Sequence, residues 1–115
     1  MKFEIIDTNY LNEISTNPVF IKKMLSLFRA NVSEFEIEMN TLLKDKEFVK
    51  LGEIAHKAKS SVIILGMKKE ADELKQLELD TKSNLFQETY QQRINEFIKT
   101  CKKALLEIDI LEKEL

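Results

Sequence analysis

Two glycines, Gly52 and Gly66, and one proline, Pro18, are the only backbone break-points that 115 residues contain, and no other feature limits the fold so strongly. Tight turns draw on Gly for positive φ and on Pro for a preset φ, so a many-stranded sandwich or a doubly wound sheet has almost no turn material here. Long helices joined by short loops remain. The length fits one domain over residues 1–115, and 43% hydrophobic with 33% charged residues suits a soluble globular chain. With 18 Lys+Arg against 20 Asp+Glu and no long basic run, nucleic acid is not expected as the main partner. No run approaches the roughly 18 consecutive apolar residues of a membrane span. The opening MKFEIIDTNY has neither the apolar stretch nor the small-residue cleavage site of a signal peptide. The expectation is a cytoplasmic protein without membrane contact.

Periodicity then divides the chain. Asp7 or Thr8 caps a short helix over Asn9–Ser15 with Tyr10, Leu11 and Ile14 as its apolar edge, a flap over the end of a bundle. Asn17-Pro18 is a helix start, a capping side chain followed by a proline whose missing N–H does no harm. The long helix that follows runs to about Lys44, with Phe20, Met24, Leu27, Phe28, Phe35, Met39 and Leu42 as its buried stripe. After the joint Lys44-Asp45-Lys46, a second long helix buries Phe48, Leu51, Ile54, Ala55, Ala58, Val62 and Leu65, until Gly66 ends or bends it. A third helix over Lys68–Glu78 turns Ala71, Leu74 and Leu77 inward, and Leu79–Asn84 reads as a turn with Ser83 capping the next helix. Phe86, Tyr90, Ile94, Phe97, Cys101, Ala104, Leu105 and Ile108 stripe that last helix. The predicted fold is an all-α, up-and-down antiparallel four-helix bundle with a short extra N-terminal helix.

Absences narrow the chemistry. The chain has no Gly-rich phosphate loop and no second His or Cys to build a catalytic dyad around, and with Cys101 and His56 alone a zinc site of the usual type is out of reach. The one Glu-x-x-His spacing, Glu53 to His56, has no second such pair to complete a carboxylate-bridged metal site, so no metal is expected, and Cys101 reads as a small core residue. His56 is the informative position. At about 100° per residue it lies roughly 140° from the sector that Leu51, Ala58, Val62 and Leu65 share, so it points outward. Around it fall Val49, Gly52, Lys59, Ser60 and Ile63, smaller and more apolar than a solvated face needs, which suggests a docking surface. A neutral imidazole is a good nucleophile near neutral pH, and Lys59, one turn on, can bring an ammonium to the oxygens of a transferring phosphoryl group. Ser60 and Ser61 are small enough to admit another protein.

The string Ala55-His56-Lys57-Ala58-Lys59-Ser60-Ser61, followed by Leu65-Gly66 and Leu77-Glu78, resembles the signature of histidine-containing phosphotransfer (HPt) domains. In that family a His is followed by a Lys three residues later, two small residues, a Gly ten residues after the His and then a Leu-Glu or similar pair. The likeness extends to the layout of helices over nearly the whole chain. Two positions depart: the family's usual Leu is Ala58 here, which shrinks a core contact. Its usual Gly is Ser60, which sets a hydroxymethyl group where the approach to the imidazole is otherwise bare.

The resemblance implies a phosphocarrier and not an enzyme. An aspartyl phosphate on a response-regulator receiver domain passes its phosphoryl group to His56, which returns it to the aspartate of another receiver. The Mg²⁺ that such transfer needs belongs to the receiver, so this monomeric chain holds no cofactor. The expected partners are receiver domains, with a hybrid sensor kinase as a further candidate, and Met1 favours a freestanding protein. The alternative is a non-phosphorylated helical adaptor that docks through the same face. The resemblance also places a polar partner beside the His at Glu78. If the second and third helices are antiparallel across Gly66, Glu78 comes back within reach of His56, to accept the Nδ1 hydrogen and leave Nε2 free; otherwise it is an exposed acid at a helix end.

Overall fold

Asn17 accepts a hydrogen bond on its side-chain oxygen from the Val19 N–H at 2.9 Å, directly ahead of Pro18, and the long helix starts there as its sequence dictates. The computed structural model describes residues 3–115; Met1, from which a freestanding protein is expected, and Lys2 lie outside them. The described residues form α1 (Asn9–Ile14), α2 (Pro18–Lys44), α3 (Phe48–Ile64), α4 (Lys68–Lys82), a short 3-10 turn (Gln87–Thr89) and α5 (Tyr90–Lys113), with no strand among them. None of these helices is long and apolar enough to cross a membrane.

A chain this poor in glycine still needs sharp helix ends, and it makes three of one kind. In the turn that closes each of α2, α3 and α4 one residue adopts positive φ, respectively Lys46, Gly66 and Asn84. The next amide then bonds back across the last turn: Glu47 N–H to Leu42 at 2.8 Å, Met67 N–H to Val62 at 3.2 Å and Leu85 N–H to Asp80 at 2.9 Å. Each is a Schellman end, which satisfies carbonyls that the helix itself leaves unpaired. Only the end at Gly66 uses glycine, because there the backbone of Asp7 crosses directly over the turn and a Cβ would collide with it.

These ends correct several expectations. α4 does not stop at Glu78 but continues to Lys82, and Ser83 closes it instead of capping the next helix. Phe86 is no core residue; it sits at φ 59° and is 56% exposed. The buried stripe of α2 is Ile21, Leu25, Phe28, Val32, Phe35 and Met39, while Phe20 and Leu27 are exposed. The face is centred about 100° from where those two residues put it, because Phe20 and Leu27 are as apolar as Ile21 and Leu25 and both phases look apolar. At the amino end Leu11 alone of the α1 edge is buried, with Tyr10 and Ile14 exposed. Thr8 makes no side-chain cap, and Asp7 instead accepts from the Asn9 N–H at 3.0 Å. Glu107 holds this segment down by accepting from the Ile5 and Ile6 amides at 3.0 and 2.9 Å.

Packing follows from cross-helix bonds whose numbers run in opposite directions. Asn31 of α2 donates to Ser61 of α3 at 3.0 Å. Lys102 of α5 reaches Glu36 at 3.1 Å and Gln91 donates to Asn40 at 3.1 Å, so α5 runs antiparallel to α2. α3 lies between α2 and α4, and α4 is its more extensive partner. Arg93 of α5 reaches the buried Asp80 of α4 at 2.9 Å. The core is continuous through Leu51, Ala55, Ala58, Val62, Leu74, Tyr90, Ile94, Cys101 and Ile108.

Candidate functional site

His56 stands mid-way along α3 with its side chain 61% exposed. No glycine or proline interrupts α3 near it except Gly52, and the imidazole is carried on a regular helical backbone. Its Nδ1 lies 3.0 Å from Glu78 Oε1. Glu78 reaches this place because α4 returns antiparallel to α3 after Gly66. The carboxylate is no loose end: its side chain is only 14% exposed, and Lys82, one turn on, donates to Oε2 at 3.2 Å. Burial pushes the Glu78 carboxyl up, but the hydrogen bonds and charges from His56 and Lys82 together outweigh this and hold it below its ordinary value. An ionised carboxylate accepts only. A neutral imidazole beside it therefore keeps its hydrogen on Nδ1 and turns the Nε2 lone pair outward. Among the described residues, Nε2 has no hydrogen-bond partner.

The remaining candidates fall into three groups. Val49, Ile63 and Ser60 are exposed along the His56 face of α3, Val49 at 64% and Ile63 at 37%. Lys59 is half-buried one turn beyond His56, and among the described residues no carboxylate pairs with it. Gly52 and Ser61 are placed otherwise than expected. Gly52 is buried, and its missing side chain faces the Thr81 hydroxyl of α4; it belongs to the helix seam and not to an open docking face. Ser61 accepts from Asn31 and is turned toward α2, roughly 140° round the helix from His56.

Lys82 is a neighbour of the His56–Glu78 pair that sequence reasoning missed. Its signal is the Glu-to-Lys spacing of four residues on one helix, hidden because the helix was ended at Glu78. Thr81 was missed for the same reason. Cys101 is fully buried, and burial pushes its thiol up to about 12, in keeping with a core role. Among the described residues no group of three His, Cys, Asp or Glu side chains could hold a metal ion. The chain matches no family model, no curated protein and no solved structure.

Proposed function

We propose that the chain is a histidine phosphotransfer protein, with His56 as its phosphoacceptor. The observation that carries this reading is the exposed imidazole tied at Nδ1 to a mostly buried carboxylate. The antiparallel pairings of α2 with α5, α2 with α3 and α3 with α4 support an up-and-down four-helix bundle with α1 as the extra helix.

In the proposed transfer the Nε2 lone pair attacks the phosphorus of an aspartyl phosphate on a receiver domain. The N–P bond forms as the bond from phosphorus to the aspartyl oxygen breaks, and the receiver's carboxylate leaves with that electron pair. The Nδ1 hydrogen stays on the ring, which becomes positive, and Glu78 stabilises that charge. Return to a second receiver reverses each step. Lys59 offers its ammonium to the equatorial phosphoryl oxygens. The receiver supplies Mg²⁺, and the partners are receiver domains, with a hybrid sensor kinase as a further source of one. The protein acts as a cytoplasmic monomer in this reading. Val49 and Ile63, apolar and exposed on either side of His56, also suit the alternative, an adaptor that docks without transfer.

Incubation with an aspartyl-phosphorylated receiver separates the two. The chain should take up acid-labile, alkali-stable phosphate, and His56→Gln should take up none while still folding, with only a small fall in thermal midpoint, since an exposed side chain leaves no cavity and only its bond to Glu78 is altered. Acid-labile phosphate on His56→Gln would overturn the assignment. Receivers that bind the chain yet never phosphorylate it would favour the adaptor.

A further inference from the structure

At Gly52 α3 presents no side chain to α4, and Thr81 fills the space. A Cβ built on Gly52 would overlap the Thr81 hydroxyl, and would stand 3.4 Å from Thr81 Cβ and 3.5 Å from the Glu78 carbonyl oxygen. That hydroxyl is fixed, because Thr81 is fully buried and donates to the Glu78 carbonyl at 2.8 Å. Gly52 lies four residues before His56, and Thr81 three residues after Glu78. In antiparallel helices these are neighbouring rungs about 6 Å apart along the axis, so the separation at one rung sets the separation at the other.

We infer that the notch formed by Gly52 and the Thr81 hydroxyl is a positioning device for the His56–Glu78 bond. Its thickness fixes how near α4 comes to α3, and thereby whether Glu78 reaches Nδ1. If α4 backs away, Glu78 is carried with it, and Lys82 on the same helix draws its other oxygen away from His56. An added methyl at Gly52 displaces α4 by on the order of an ångström, enough to stretch a 3.0 Å contact beyond hydrogen-bond range. Gly52 and Thr81 touch no reacting atom and act only through Glu78. Their functional weight rests on the phosphotransfer reading, whereas the geometric effect does not.

The test reads the imidazole itself, by ¹⁵N NMR of the two ring nitrogens of the neutral form. Wild type should show hydrogen on Nδ1. Gly52→Ala should lose that signature and shift to the Nε2–H form that a free imidazole prefers. Thr81→Ala, which adds no atom, should keep it, and the double variant Gly52→Ala/Thr81→Ala should regain it because the overlapping oxygen is gone. Survival of the Nδ1–H signature in Gly52→Ala, or its absence from the double variant, overturns the inference. If Gly52→Ala does not fold, a folded double variant with the Nδ1–H signature supports the notch, and a double variant that also fails to fold overturns it. No phosphoryl donor enters these measurements, so a chain that never accepts phosphate would refute the proposed function and leave the notch standing. If both hold, Gly52→Ala should slow phosphoryl uptake by about ten- to a hundredfold, the scale of a lost hydrogen bond to a charged group.

Discussion

Gly52, Ala55, Ala71 and Thr81 are among the buried residues of α3 and α4, where Gly52 faces Thr81, whereas Phe35 of α2 meets Phe97 of α5, with Phe28, Met39 and Ile98 buried on the same two helices. The Phe35 and Phe97 rings stand 6.5 Å apart, and at another level of the same helix pair Arg29 reaches Asp109 at 2.7 Å and Glu112 at 2.6 Å. Small residues bring two backbones close and leave little room for adjustment, so a polar pair bridging them is held to tenths of an ångström. Large side chains keep helices further apart and supply most of the buried apolar area, and long charged side chains can span that gap in more than one rotamer. The two seams thus differ in kind: Gly52 lets α4 close on the backbone of α3, whereas aromatic rings stand between α2 and α5.

The largest expected effect attacks the second seam. Phe35→Ala removes a side chain that is 1% exposed and should cost about 3–5 kcal/mol in urea unfolding. The molecules that remain folded should keep the Nδ1–H signature of His56. Loss of that signature in folded Phe35→Ala would show that the seams are not separate. Arg29→Ala should cost under about 1 kcal/mol, and less at high salt, because the guanidinium and both carboxylates are partly exposed. A larger and salt-insensitive loss would mean that the pairs, and not the rings, hold α5 on α2.

The smallest effect concerns Glu78. Its folded-state carboxyl lies below the ordinary value near 4.5, so its bonds add stability that is present above that value and is lost as pH falls through the folded one. Glu78→Gln should therefore have a lower urea midpoint than wild type at neutral pH, with the difference closing as the solution becomes more acid than the folded carboxyl. An equal offset at all pH values would remove the charge of Glu78 from the stability of this seam.

Helix starts and lengths were legible wherever a local signal exists. Asn17-Pro18 and Gly66 bound their helices as the sequence indicates. The end of α4 was not, since Asn84 took the left-handed position usually given to glycine, and Asn signals this more weakly. That one error hid Thr81 and Lys82 together. The phase of α2 was misread because Phe20 and Leu27 are as apolar as Ile21 and Leu25, and a helix does not record in its own sequence which face its neighbours cover.

The outward direction of His56 follows from its angular position on the helix alone, whereas Glu78 beside it is what the HPt resemblance implies, on the condition that α4 returns antiparallel along α3. An all-helical chain, the exposure of the imidazole and the burial of Cys101 are consequences of residue type and period, which the sequence carries in full. What the seam does with Gly52 is of another kind. Whether a missing side chain opens a surface or admits a neighbouring helix depends on what stands opposite, and Thr81 stands there only because α4 runs four residues past Glu78 and packs antiparallel on α3. The same holds for Ser61, claimed by Asn31 thirty residues earlier in the chain. Helical period fixes the direction of each side chain, but only the packing of one helix on another decides what that side chain meets.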